Sequence, residues 1–206
     1  MISKISEQYK ISKNKIILAE GRDDCEFLDA LRNSLHIDEI EFIDCGGKEK
    51  LKKFVKNLLK LTSGFSQVTS LGIVIDADTN EDAAFQSITG TLMAAGLPVP
   101  VKPLEAAGTN LKVTVIVLPG RTIGTLEDLC LKSVENEMSM QCVEAYFDCL
   151  KSKNISEPRE ISKAKCKVYL ASKPEAVPHI GVAAAKGYWP LESSVFDQLR
   201  QFLISI

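Results

Sequence analysis

The chain has 206 residues, of which 45% are hydrophobic and 25% are charged, and its formal net charge is −2. This length predicts one domain, or one domain with a small appendage, that buries a core without disulfide or metal staples. No apolar run approaches the roughly 20 residues that cross a bilayer, and residues 1–15 are too polar for a signal peptide. Composition therefore excludes a membrane protein, a disordered chain and a secreted miniprotein, and it predicts a cytoplasmic protein.

Six cysteines are present, but no two form a C-x-x-C pair, and the two histidines lie far apart in the sequence. Structural zinc sites usually show such close pairs, so this pattern predicts reduced thiols rather than zinc. Cys25, Cys130 and Cys166 have apolar neighbours and are expected in the core.

Strands and helices alternate along the first part of the chain. Short apolar runs with β-branched residues predict strands at 15–19, 39–45, 70–76 and 111–118. Helical spacing of apolar residues predicts helices at about 23–35, 51–59, 80–95, 126–133, 136–152, 161–172 and 193–204. Residues 97–109, rich in proline, glycine and alanine, are expected to form a loop.

This alternation predicts an α/β, Rossmann-like fold. Its central sheet would have about four mainly parallel strands with helices on both faces. Residues 1–135 would form this sheet domain, and residues 136–206 would form a helical extension packed on the same core.

Acidic residues follow three of the predicted strands, at or soon after the point where each strand ends. Glu20 ends the first strand, with Asp24 four residues later, and Asp76 ends the third, with Asp78 two residues later. Glu127 lies at a helix start beyond the fourth strand. Because open parallel sheets bind ligands beyond the carboxyl ends of their strands, these carboxylates are expected at one edge.

A cluster of like charges needs a shared cation or raised pKa values. Carboxylate oxygens without histidine or thiolate suit Mg²⁺ or Mn²⁺ rather than zinc, and the matching chemistry is metal-assisted attack on a phosphodiester or phosphoryl transfer. The alternative for Asp24, Glu127 and Asp128 is an ordinary first-turn role at a helix N-terminus. Asp76 is not explained in that way, because it ends a fully apolar strand.

Two segments, I-I-L-A-E-G-R-D-D at 16–24 and I-V-I-D-A-D at 73–78, resemble the Toprim domain, the metal-binding α/β fold of topoisomerases, primases and certain nucleases. The resemblance covers roughly residues 13–135. It is greatest to small stand-alone prokaryotic Toprim proteins of a family of unknown function related to OLD-type and RloB-like nucleases. No primase zinc region or ATPase domain accompanies the motifs, so a broad genome-maintenance role is not implied.

The resemblance implies roles for individual acidic residues. Glu20 matches the Toprim glutamate, which serves as a metal ligand or general acid/base. Asp76 and Asp78 match the D-x-D metal ligands, although Thr79 and Asn80 follow where longer acidic motifs occur in topoisomerases. Asp24 matches a second acidic position of OLD-type nucleases, and Glu127 matches a later acid of their two-metal site.

The resemblance also implies a catalytic lysine in the C-terminal part of the chain. Lys163 or Lys165 would stand where OLD-type nucleases carry a lysine that offsets transition-state charge, and spacing does not choose between them. Both belong to the lysine-rich segment 151–173, whose excess of positive charge fits either a nucleic-acid footprint or one solvated helix face.

Three further basic residues are candidates for binding phosphate or nucleic acid. Arg22 and Arg121 could clamp a phosphate, because a guanidinium makes bidentate contacts, or they could be solvated surface residues. Lys48 follows Gly46 and Gly47 before a helix, where main-chain N–H groups could face an anion. The segment fails the Walker pattern, so a plain tight turn is the alternative.

These observations predict divalent-metal-dependent hydrolysis of DNA or RNA phosphodiesters, in defence or nucleic-acid processing. A rival function is that of a metal-binding regulatory or toxin-like partner that acts through protein association without catalysis. Phosphatase or nucleotidyl transfer on small molecules is a third alternative. The expected cofactor is Mg²⁺ or Mn²⁺ and the expected partner is nucleic acid, with a partner ATPase and a homodimer left open and no membrane partner.

Overall fold

The computed structural model describes residues 2–4, 9–37, 40–61, 63–77, 79–119 and 124–206, with the backbone alone for 2–4 and 59–61. The strands are β1 (Ile2–Lys4), β2 (Lys15–Ala19), β3 (Ile40–Asp44), β4 (Ser70–Asp76) and β5 (Lys112–Leu118). The helices are α1 (Arg22–Ser34), α2 (Lys48–Leu61), α3 (Glu81–Ala95), α4 (Leu126–Ser133), α5 (Met138–Ser152), α6 (Ile161–Ala171), α7 (Ile180–Ala185) and α8 (Asp197–Ser205). Short 3-10 turns cover Phe65–Gln67 and Ser194–Phe196.

The described strands form one sheet in the order β1-β3-β2-β4-β5, and each neighbouring pair is parallel. The predicted α/β fold with a mainly parallel sheet is thereby confirmed, and the four predicted strands are β2 to β5. The edge strand β1 was not predicted, because three residues are too short to show a period of two. Since all the strands run in one direction, their carboxyl ends meet at one edge of the sheet.

Two hydrophobic cores lie on opposite faces of this sheet because side chains alternate along each strand. Ile16 and Leu18 of β2 face the core that α2 and α3 cover, whereas Ile17 and Ala19 face the core that α1 and the C-terminal helices cover. The second core holds the largest fully buried aromatic side chains near its C-terminal helices, among them Tyr169, Trp189, Phe196 and Phe202. Buried side chains of α5 to α8 therefore belong to the same core as Ile17 and Ala19 of β2.

The last helix lies directly against the sheet at a glycine. A Cβ atom on Gly72 of β4 would lie 2.7 Å from Cζ of Phe202, which belongs to α8, and 3.0 Å from Cδ1 of Ile206. Glycine is thus needed there for the close approach of the helix.

The structure agrees with most of the other local predictions. Cys25, Cys130 and Cys166 are buried free thiols, as predicted. Residues 97–109 contain no helix and only an isolated bridge from Ala107 to Val113, which confirms the predicted loop. Helix α7 was not predicted, because its six residues, I-G-V-A-A-A, are too few to show a helical period. No helix in the described ranges combines the length and apolar character that a membrane span requires.

Candidate active site

A cleft of about 760 Å³ opens at the carboxyl ends of β2, β3 and β4. The N-terminal turns of α1, α4 and α6 form its other walls. Among the residues that line it, eight are acidic and four are basic: Glu20, Asp23, Asp24, Asp44, Asp76, Glu127, Asp128 and Glu160 against Arg22, Lys50, Arg159 and Lys163. The cleft is therefore rich in negative charge at the edge where the sequence predicted a site.

Glu20 is held between two neighbouring parts of the sheet. Its Oε1 accepts a hydrogen bond of 3.2 Å from the main-chain N–H of Asp76, at the end of β4. Its carbonyl oxygen accepts one of 2.6 Å from the N–H of Gly47, in the turn after β3. The Nζ of Lys48 donates to the carbonyl oxygen of Asp76 at 3.3 Å. The ends of β2, β3 and β4 are therefore tied together around Glu20.

Asp24 caps the first turn of α1 and also lies among other carboxylates of the cleft. Its Oδ2 accepts a hydrogen bond of 2.9 Å from the N–H of Gly21, so it caps the first turn of α1. The pKa of Asp24 is raised from 3.8 to about 7, mainly by burial and further by the negative charges of Glu127, Glu20 and Asp23, while the bond from Gly21 acts to lower it. Carboxylates from two separate segments, residues 20–24 and the first turn of α4, are thus close enough to influence one another.

The structure separates the two candidate lysines. The Nζ of Lys163 lies in the cleft, 3.8 Å from Oε1 of Glu127 and 3.1 Å from Oε2 of Glu160. The bond to Glu160 and the charge of Glu127 raise the pKa of Lys163, although partial burial opposes them. Lys165 instead forms an ion pair of 2.6 Å with Glu144 of α5 and does not line the cleft.

The candidate phosphate-binding residues have different surroundings. Arg22 lines the cleft, but its Nε donates to Oε1 of Glu26 at 2.7 Å and its side chain is largely exposed. The N–H of Gly46 donates to Oδ1 of Asp44 at 2.8 Å, and the N–H of Gly47 already donates to Glu20. These two N–H groups are therefore engaged within the protein, which favours the tight-turn alternative. Asp78 and Arg121, which the sequence also singled out, lie outside the described residues.

The donor atoms in the cleft are suited to a hard cation. Carboxylate oxygens are the potential ligands, and burial raises the pKa of the nearby thiols of Cys25 and Cys45, which keeps them protonated. Within the described part of the chain, no three acidic, histidine or cysteine side chains are already grouped closely enough to hold a metal ion. The type of donor, carboxylate oxygen without histidine or thiolate, nevertheless fits Mg²⁺ or Mn²⁺, with Glu20, Asp24, Asp76 and Glu127 as the candidate ligands.

Several residues of the cleft were missed as site residues. Asp44 ends β3, so the rule that selected Asp76 at the end of β4 also applies to it. Arg159 lies in the lysine-rich segment 151–173 but has no motif of its own, and no sequence pattern marks Lys50 or Ser162. Their presence in the cleft depends on how α2 and α6 pack.

Comparison with other proteins finds one matching family model and two similar solved structures. The model of a family described as "Protein of unknown function (DUF3226)" matches residues 14–206. No curated protein is significantly similar to the chain. Two structures of the C-terminal region of the Xanthomonas campestris pv. campestris OLD protein, phased with mercury and with iodine, are 14% identical with TM-scores of 0.49 and 0.48. Each alignment covers 94% of this chain, and the two alignments cover 96% and 95% of the respective OLD structures. Similarity at this level identifies no activity.

Proposed function

The chain belongs to the DUF3226 family of unknown function, and we propose that it is a Toprim-type, divalent-metal-dependent hydrolase of phosphodiester bonds in DNA or RNA. The observation that carries this proposal is the convergence of four carboxylates on one cleft. Glu20 and Asp76 come from adjacent strands, whereas Asp24 and Glu127 come from the first turns of two helices.

The charge of the cleft supports a bound cation. Eight acidic side chains against four basic ones would repel a phosphate group. A divalent cation supplies a Lewis acid that offsets phosphate charge and lowers the pKa of water. The raised pKa of Asp24 agrees with this requirement, because burial, and in addition the charges of Glu127, Glu20 and Asp23, disfavour its ionised form unless a cation is bound.

Two residues have surroundings that suit direct roles in hydrolysis. Glu20 is oriented by the N–H of Asp76, so its carboxylate has a defined direction at the base of the cleft. It would act as a ligand or accept the proton of the attacking water at a carboxylate oxygen. The Nζ of Lys163, beside Glu127, would offset the charge that develops on the phosphate oxygens.

The basic side chains that line the cleft support a nucleic acid as the substrate. Arg22, Lys50, Arg159 and Lys163 line it together with the acidic cluster. Lysine and arginine at such positions bind the phosphates that flank a scissile bond and do not select a base sequence. The proposed substrate is therefore a phosphodiester with neighbouring phosphates.

The test is a cleavage assay of the purified full-length chain with Mn²⁺ on single-stranded, duplex and structured DNA and RNA. Cleavage that EDTA stops and that Asp76→Ala abolishes would support the proposal. Asp148→Ala is the matched control, because this exposed aspartate of α5 lies outside the cleft, and it should cleave at the wild-type rate. A stable complex with another protein and no cleavage of any substrate would contradict the proposal and favour the regulatory alternative.

A further inference from the structure

One carboxylate ties together the two helices that bring Glu127 and Lys163 to the cleft. Oδ2 of Asp128 accepts hydrogen bonds from the N–H of Thr125 at 2.8 Å and from its hydroxyl at 3.2 Å, which caps α4. Oδ1 of the same residue accepts a hydrogen bond of 2.5 Å from the hydroxyl of Ser162, in the first turn of α6. Asp128 thus joins the N-terminal turns of α4 and α6.

The backbone before α4 leaves room for this carboxylate only because residue 124 is glycine. A Cβ atom on Gly124 would lie 2.5 Å from Oδ2 and 3.0 Å from Cγ of Asp128. Gly124 also has a φ of +143°, which residues with a side chain rarely adopt. The turn, the cap and the bond to Ser162 therefore form one compact unit.

The neighbours of the two bonded residues are the ones that the proposed reaction uses. Glu127 directly precedes Asp128, and Lys163 directly follows Ser162. The Nζ of Lys163 is 3.8 Å from Oε1 of Glu127 but 3.1 Å from Oε2 of Glu160, the more exposed residue that directly precedes α6 at the edge of the cleft. Because the lysine side chain is half exposed, the position of the first turn of α6 decides whether it points over the carboxylates.

We propose that Ser162 is a positioning residue, whose hydrogen bond to Asp128 holds the first turn of α6 so that Lys163 stands over the carboxylate cleft. The effect of Ser162 on the rate rests on the proposed function. Its effect on the order of α6 does not.

The experiment compares Ser162→Ala, the conservative variant Ser162→Thr and the control Ser172→Ala in the full-length chain. Ser172 ends the same helix, and its hydroxyl donates to the carbonyl oxygen of Tyr169 at 2.7 Å, far from the cleft. The measurements are amide hydrogen exchange over residues 161–166 and the kcat and KM of cleavage with Mn²⁺.

We expect Ser162→Ala to speed exchange in this segment about fivefold, as the loss of one hydrogen bond implies. We expect kcat to fall about tenfold or more with KM within about twofold, since positioning contributes to the chemical step. Ser162→Thr should restore both, and Ser172→Ala should change neither.

The inference would be overturned if Ser162→Ala had the amide exchange rate and the kcat of the wild type. It would also be overturned if Ser172→Ala lost as much kcat as Ser162→Ala. If the wild-type protein cleaves no substrate, the proposed function is wrong, and the exchange data alone then decide. Faster exchange in Ser162→Ala alone would still support the role of Ser162 in holding α6, and unchanged exchange would overturn it.

Discussion

The main-chain N–H of Asp76 donates a hydrogen bond of 3.2 Å to Oε1 of Glu20, which is 56 residues away in the chain. The two residues lie at the ends of the paired parallel strands β2 and β4. The direction of the Glu20 side chain therefore depends on the backbone of the neighbouring strand.

Glu20→Gln tests the charge of this side chain separately from its position. Glutamine keeps an oxygen that accepts the bond from Asp76, so we expect a melting temperature close to that of the wild type. Loss of the negative charge should lower kcat about 100-fold or more, measured in the Mn²⁺ cleavage assay. Glu49→Gln, an exposed glutamate of α2, is the control and should cleave normally. A Glu20→Gln variant with wild-type kcat would rule out this role for Glu20.

Lys163→Ala and Lys165→Ala distinguish the two lysines that the sequence left open. Lys163 lies beside Glu127 in the cleft, so its loss should lower kcat about 100-fold. Lys165 pairs with Glu144 away from the cleft, so its loss should leave kcat unchanged and cost about 1 kcal/mol of stability or less. The cleavage rate and urea unfolding of both variants check this, and a larger loss of rate in Lys165→Ala would contradict the assignment.

The raised pKa of Asp24 makes stability depend on pH between about 4 and 7. In this range the folded protein keeps the carboxyl protonated, because its pKa is about 7, whereas the unfolded chain, with a pKa near 3.8, ionises it. The contribution of Asp24 to the free energy of unfolding is therefore present below pH 3.8, falls as pH rises to about 7, and is lost above it.

Urea unfolding at pH 5, 6, 7 and 8 measures this effect, with Asp24→Asn as the matched variant. Asparagine can still accept the bond from Gly21 but does not ionise, so its stability should fall less with pH. Mn²⁺ should stabilise the wild type more at pH 8 than at pH 5, since ligands must be deprotonated. An equal pH dependence of wild type and variant would show that Asp24 does not titrate in this range.

Gly181→Ala tests the close packing of α7 on α1. A Cβ atom at residue 181 would lie 2.4 Å from Cβ of Glu26 and 2.7 Å from the carbonyl oxygen of Asp23. The N–H of Gly181 also donates to Oδ1 of Asp23 at 3.0 Å. Because the backbone of α1 or α7 must move to make room for the methyl group, we expect a loss of about 3 kcal/mol in the free energy of unfolding.

Gly90→Ala is the control for a glycine-to-alanine change within a helix. No atom lies within 4 Å of a Cβ at this position of α3, so alanine should stabilise the protein by about 0.5–1 kcal/mol through its higher helix propensity. Urea unfolding measures both variants. A similar change in the free energy of unfolding of Gly181→Ala and Gly90→Ala would indicate that α7 does not pack closely against Asp23 and Glu26.

Local patterns in the sequence were sufficient for the architecture and for most of the acidic cluster. Alternation and helical spacing are properties of neighbouring residues, so they predicted β2 to β5 and most helices. Parallel strands bring their carboxyl ends to one edge of the sheet, and this rule predicts that Glu20 and Asp76 lie close together. The same rule would also have included Asp44.

Only the tertiary structure decided which lysine reaches the cleft and what holds it there. Lys163 and Lys165 are two residues apart, so they point to different sides of α6, and the packing of that helix selects the side that faces the carboxylates. The bond between Ser162 and Asp128 joins residues 34 positions apart and has no sequence period. Such contacts follow from how helices pack on a sheet, and local propensity carries no information about them.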